Sequence, residues 1–193
     1  MISWLFHLCD RLIADADDRI LVQQRQAVIA AGGDTAATAY LELCRLVGEA
    51  ADPSATLIAL DDVEDAAPVD LLGRLVVHAF AVMRASYPAQ PDAAAARVRL
   101  AAQAEIAYPV VGDALGHIVL DFAVRLIGEA TVQLSRLAAN AAPIVRVETG
   151  ISLPSSLIAF DLYGQASRGA EIMERNGTGT PMLMPSPLKA LAY

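Results

Sequence analysis

The sequence predicts a mainly α-helical protein, an N-terminal helical bundle over residues 1–142 followed by a small strand–helix–helix–strand module over residues 143–193. Three observations carry this. Before Pro143 apolar residues recur at spacings of three and four, the repeat of one helix face. After it, Ile144-Val145-Arg146-Val147-Glu148-Thr149 alternates and is β-branched, as a short strand requires. Hydrophobic residues make up 55% of the chain and aromatics only 5%. The apolar content is therefore mostly Ala, Leu, Val and Ile, a mix that suits small, closely packed helices.

Taken in order, Leu5, Leu8, Cys9, Leu12, Ile13, Ala16 and Ile20 form one stripe of an amphipathic helix from Met1 to about Ile29, with Asp10, Arg11, Asp15, Asp17 and Asp18 between them. Gly32 and Gly33 end it, and Asp34 or Thr35 can cap a second helix burying Tyr40, Leu43, Cys44 and Val47. That helix frays toward Asp52 and Pro53. Residues 61–68 read as a solvated acidic connector. A third helix runs from Asp70 through Met83 and stops at Tyr87-Pro88. An Ala-rich fourth runs from about Asp92 to Ala107, before Pro109. The fifth runs from about Asp113 to Asn140, with Leu115, Val119, Phe122, Leu126, Val132 and Leu137 as candidate core. Five helices on short links suggest a bundle.

In the module, Pro154 opens a helix Ser155 to Tyr163 that Gly164 closes, and a second helix, Ser167 to Arg175, ends at Asn176-Gly177. Prolines 181, 185 and 187 punctuate an extended tail in which Leu188 to Ala192 can form a returning strand.

Net charge is −8. Residues 143–193 hold four basic residues (Arg146, Arg168, Arg175, Lys189) and four acidic ones (Glu148, Asp161, Glu171, Glu174), so that segment is neutral. The whole excess falls on residues 1–142, with ten basic and eighteen acidic. An acidic body repels phosphate, which argues against a nucleic-acid partner. No stretch of about 18 to 20 residues is apolar and uncharged, the length a spanning helix needs. Arg74 interrupts the run 71–83, and Asp121 and Arg125 the run 118–127. No membrane partner is expected. The N-terminus has no basic region and meets Asp10 early, so synthesis and residence in a cytoplasm are expected.

Chemistry-bearing patterns are sparse. His7, His78 and His117 lie in separate helices with no second histidine or cysteine at i+3 or i+4. The cluster Asp61-Asp62…Glu64-Asp65 lacks the glycine and spacing of a calcium loop. There is no phosphate loop, dinucleotide fingerprint, nucleophile elbow or Cys-x-x-Cys. Cys9 and Cys44 read as small buried apolar residues, a disulfide between their helices being the alternative. The expectation is a protein that is not an enzyme, with no catalytic residues, metal or cofactor.

The segments Ser152-Leu153-Pro154, Ile158-Ala159-Phe160-Asp161-Leu162-Tyr163-Gly164, Ala166-Ser167-Arg168 and Ala170-Glu171-Ile172-Met173-Glu174-Arg175-Asn176 resemble the C-terminal end of the DNA-circularisation proteins of Mu-like phages. So do Gly128-Glu129-Ala130, Leu134-Ser135-Arg136-Leu137-Ala138 and Arg146-Val147-Glu148-Thr149 upstream. The strand-flanked helix pair, with its Tyr-Gly stop and final Asn, also resembles a LysM module. The likeness is good over about residues 110–193, faint over 55–110 and absent before. Family members are longer, so a separate, shortened gene is expected; their usual basic segment after the Asn is here the neutral Gly177-Thr178-Gly179-Thr180-Pro181-Met182.

The resemblance implies a structural component of a contractile phage tail or baseplate, resident in the virion tail and assembled in the host cytoplasm. It would be an adaptor between hub, tube and tape-measure proteins and form a homo-oligomeric ring. The alternative is a peptidoglycan-binding LysM-type accessory of a lytic or wall-penetrating apparatus, with the loop Thr149 to Leu153 approaching the sugar. The residues expected to dock are Trp4 and Leu5, on an N-terminal stripe longer than a bundle needs, and Met182 and Met184 in a tail suited to another subunit's surface. In the module they are Tyr163, at the helix stop, Arg168 and Arg175, seven apart on one helix face, and Asn176, expected in a left-handed C-cap.

Overall fold

A computed structural model of the chain describes residues 2–64 and 67–192. It is mainly helical, at 71% helix, with nine α-helices among the described residues and one two-stranded antiparallel sheet. The chain divides into two compact units, Met1–Ser86 with Ala94–Leu137, and Tyr87–Ala93 with Ala138–Tyr193. The sequence places the boundary near residue 142. What it misses is the short segment around Ala89, whose neighbours Pro88 and Gln90 exchange backbone hydrogen bonds with Ala142.

In the first unit the expected N-terminal helix is two, α1 (Ser3–Leu12) and α2 (Ala16–Ala31). Asp15 makes the break: its side chain accepts hydrogen bonds from the Asp17 and Asp18 amides at 2.9 and 3.2 Å, the N-cap geometry, and Asp17 and Asp18 then favour the positive end of α2. Helix α3 (Ala36–Gly48) follows. Where fraying was expected there is a further helix, α4 (Pro53–Asp61). Asp52 caps it through the Ala55 amide at 3.0 Å, and Pro53 sits in its first turn, where no N–H is needed. Of the connector expected over 61–68, Asp65 and Ala66 lie outside the described residues, as do Met1 and Tyr193 at the ends of the apolar stripe and the tail. Helix α5 (Pro68–Arg84) again opens on a proline.

The core of this unit lies around α3, which packs on α1, α2 and α5; Leu43, Cys44 and Val47 are completely buried. Two glycines set the spacing. A Cβ on Gly48 would stand 2.6 Å from Phe80 Cβ and 2.8 Å from the Val77 carbonyl, so the backbones of α3 and α5 nearly touch there. A Cβ on Gly73 would occupy the place of the Tyr40 ring, 2.0 Å from its hydroxyl.

Helix α6 (Gln90–Leu115) runs straight through Pro109, where a stop was expected. Pro109 leaves the Glu105 carbonyl without its helical donor, but both residues face water, which can replace it. Gly116, at φ 87°, turns the chain into α7 (His117–Asn140). The core of α7 also differs from expectation: Phe122 is 41% and Val132 47% exposed, and Leu115, Val119, Leu126 and Leu137 are only half-buried. The buried stripe is Ala123, Ile127, Ala130 and Leu134. The buried side of α7 is thus the alanine-bearing one, as is that of α6 with Ala96, Ala104 and Ala107.

The second unit has strand β1 (Ile144–Val147), helix α8 (Ser155–Tyr163), a 3₁₀ turn (Ala166–Arg168), helix α9 (Gly169–Asn176) and strand β2 (Leu188–Leu191). The strands pair antiparallel, Ile144 with Leu191 and Val147 with Leu188. Ile158, Ala159, Ile172, Met184, Leu188 and Ala190 make its core. Gly169 lets α9 start against α8, since a Cβ there would lie 3.0 Å from the Ser156 amide nitrogen.

Candidate docking surfaces

The residues expected to dock fall into three groups by burial. Trp4 and Leu5 are 7% and 0% exposed, so the stripe of α1 is not free for a partner. The Trp4 indole donates a 2.9 Å hydrogen bond to the carboxylate of Asp70, itself 1% exposed, and the Ile2 amide donates to the same oxygen at 3.3 Å. This anchors the N-terminus to α5. It also holds Ile2 at φ 67°, a strained value for a β-branched residue.

Met184 is likewise core, at 1% exposure, because the tail folds back on its own unit. The Met184 amide donates to the Leu153 carbonyl, the Ser152 hydroxyl to the Met184 carbonyl, and the Ser155 amide to the Pro181 carbonyl. The Thr149 to Leu153 loop, expected to approach sugar, is thereby tied to the tail. Thr149 also bonds within it, to the Ile151 carbonyl.

Arg168 and Arg175 do not share a helix: Arg168 ends the 3₁₀ turn and Arg175 lies in α9. Glu171 joins them. Arg168 reaches one of its carboxylate oxygens with two nitrogens, at 2.9 and 2.7 Å, and stacks 3.9 Å over the Tyr163 ring. Arg175, 11% exposed, lies 3.8 Å from the other oxygen and from Asp92. Tyr163 in turn accepts a hydrogen bond from the Leu191 amide at 2.8 Å. Asn176 is helical; the left-handed residue is Gly177, at φ 63°. The Asn176 amide group donates to the Ile172 and Lys189 carbonyls while its oxygen accepts from the Lys189 amide at 2.7 Å, so the side chain pairs with β2 as a strand would. These four side chains fasten the unit together.

Met182 alone of the expected docking set is well exposed, at 64%. Leu183, expected beside it in the tail, is 62% exposed. What sequence reasoning missed are Phe160, 58% exposed, Leu157, 44%, and Ile151, 65%. Leu157 and Phe160 lie three apart on one face of α8, and Met182 follows Pro181, which bonds to the start of that helix. The signal was present in the sequence: α8 is apolar on both faces, Ile158 and Ala159 inward and Leu157 and Phe160 outward, more than one core needs.

Among the described residues no cluster of three or more His, Cys, Asp or Glu side chains could hold a metal, and no helix is long and apolar enough to cross a membrane. Cys9 and Cys44 are free and buried. Burial, with help from Asp10, pushes the Cys9 thiol up to about 12, and burial raises Cys44 as well, so both stay protonated and poorly nucleophilic at neutral pH. No protein-family model matches the chain, and no curated protein matches it in sequence.

Proposed function

We propose that the chain is a structural protein that works by docking, not by catalysis, and that residues 143–193 form a LysM-like module used as an adaptor. The observation that carries this reading is the outward apolar set Ile151, Leu157, Phe160, Met182 and Leu183, on a unit whose charged side chains Arg168, Glu171 and Arg175 are tied to one another. Exposed apolar side chains gathered in this way mark surfaces that another protein covers. The order strand, helix, helix, strand with an antiparallel pairing of its ends supports the LysM-like reading. The resemblance of residues 110–193 to the Mu-like DNA-circularisation proteins supports placing the docking in a contractile phage tail or baseplate. There the chain would sit as copies in a ring beside hub, tube or tape-measure proteins. An acidic body makes a DNA role secondary.

The test uses tails purified from a lysate of the phage that encodes the chain. The protein should be a stoichiometric tail component, and Phe160→Ser with Met182→Ser should leave it folded but missing from tails. Truncating one such aromatic anchor costs about 2 kcal/mol of binding. A chain absent from tails and retained instead on purified peptidoglycan would replace this reading with the peptidoglycan one.

A further inference from the structure

The exposed face of α7 carries a pattern that none of the foregoing uses. Ile118, Phe122, Arg125, Glu129, Val132 and Arg136 recur at spacings of four and three, a straight stripe along the helix. It lies opposite the buried stripe of Ala123, Ile127, Ala130 and Leu134. Ile118 is 74% exposed, Val132 47% and Phe122 41%, and Arg125 and Glu129 are exposed. The helix surface beside them forms an open groove, with Gly128 leaving clear space.

The stripe is symmetric about Ile127. Phe122 and Val132 stand five residues to either side of it, Arg125 and Glu129 two, and Ile118 and Arg136 nine. When two copies of a helix pack antiparallel about a two-fold at that point, each residue faces its mirror position on the other. Phe122 then meets Val132, Arg125 meets Glu129, and Ile118 meets the aliphatic stem of Arg136, each contact made twice. A parallel pair would instead set Arg125 on Arg125 and Glu129 on Glu129. The face is also neutral, Asp121 and Glu129 against Arg125 and Arg136, on a chain of net charge −8. It is thus a place where two acidic copies can meet without repulsion.

We propose that α7 is a homodimerisation helix, its exposed face taken by the same face of a second copy, antiparallel and centred on Ile127. Arg125, bonded to Asp121 of its own helix, gains Glu129 of the second copy. The proposal stands independently of the tail assignment, since it concerns a different surface and a different occupant.

The experiment is sedimentation equilibrium of the full chain over a range of concentration, with circular dichroism as the check on folding. The wild type should dimerise. Arg125→Glu and Glu129→Arg should each weaken the dimer about tenfold, because two attractive pairs become repulsive. Phe122→Ser should weaken it by at least about thirtyfold, since an aromatic anchor is lost from each copy and one such loss alone has that effect. The two charge variants mixed one to one should recover wild-type affinity as a heterodimer, because opposite charges then face each other again at both pairs of positions 125 and 129. A wild type that stays monomeric, a mixture no tighter than its parts, or association that all three substitutions leave unchanged would each overturn the proposal. Should a charge variant lose helix, Phe122→Ser decides alone.

Discussion

The two compact units are closed by different means. The first is held by close approach of helices. Gly48 lets α3 come against α5 with no side chain between, Gly73 leaves room on α5 for the Tyr40 ring of α3, and Leu5, Leu43 and Val47 fill what remains. The second is built around Ile158, Ala159, Ile172, Met184, Leu188 and Ala190 and is fastened by polar side chains acting on backbone: Asn176 on Lys189, Tyr163 on Leu191, Ser152 on Met184. Apolar contact is additive over many atoms and tolerates substitution in proportion to volume. Hydrogen bonds to backbone depend on one atom in one place, so single polar changes should matter in the second unit and volume changes in the first.

The sharpest break of that contrast is Trp4→Ala. Trp4 is core, so the substitution should cost about 3 to 5 kcal/mol of stability in the first unit. It also strands the Asp70 carboxylate, whose indole donor is lost. Urea unfolding followed by far-ultraviolet dichroism reads this; a loss under about 1 kcal/mol would mean that Trp4 is a surface anchor after all. Gly48→Ala comes next, at about 2 kcal/mol, because its methyl group meets backbone that cannot rotate away. The same change at Gly128, which has nothing within 4 Å, should be neutral or stabilising, alanine being the better helix former.

In the second unit Asn176→Ala should cost about 1 to 2 kcal/mol, since three hydrogen bonds go and part of the released backbone can turn to water. Asn176→Asp separates the roles: its carboxylate keeps the acceptor for the Lys189 amide but loses both donations. Hydrogen exchange at the Lys189 amide should be protected in the wild type and fast in Asn176→Ala. Equal protection in both would show that β1 and β2 hold without this side chain.

These differences explain what could be read from sequence. Most helices of the first unit are legible because a repeat of three and four residues survives any detail of packing; α4 is not, since its buried Thr56, Ala59 and Leu60 form no apolar stripe distinct from its other face. Their ends were less so. Asp15 splits α1 from α2 through a cap that interrupts no apolar stripe, and Pro109 is accommodated within α6 because the donor it removes lies on the side that faces water, which the residue type alone does not reveal. Which apolar side of α7 is buried does not follow from periodicity, since both sides repeat at spacings of three and four. In the second unit the elements were legible from β-branching, Pro154 and Gly164. The roles of Arg168, Arg175 and Asn176 were not, since whether a charge or amide is spent inside the unit depends on Glu171 and Lys189 being brought to it.

The smallest effect expected is one of pH, and it belongs to the first unit. His78 is 4% exposed in α5, with its Nδ1 hydrogen-bonded to the Gln103 side chain of α6. Burial holds its pKa below the ordinary 6.5. The Gln103 bond and Asp61 oppose that shift, while Arg99 and Arg74 add to it. The unfolded chain therefore binds a proton at His78 more readily than the folded one. Wherever the unfolded state binds more protons, stability rises with pH. The contribution of His78 is thus complete above about pH 7 and declines as pH falls through 6.5 toward the lowered folded pKa, below which it changes no further. Carboxylates titrate mostly near pH 4, so a window from pH 7.5 to 5.5 excludes them, and comparison with His78→Gln singles out this histidine. Asn176 and Ser152, two of the fastenings of the second unit, do not titrate at all. Hydrogen exchange should accordingly show α5 losing protection across this window while Ile172 and Leu188 keep theirs, and His78→Gln should flatten the response of α5. If that variant keeps the wild-type slope, another group carries the pH dependence; if both units lose protection together, they unfold as one and the contrast drawn between them is structural only.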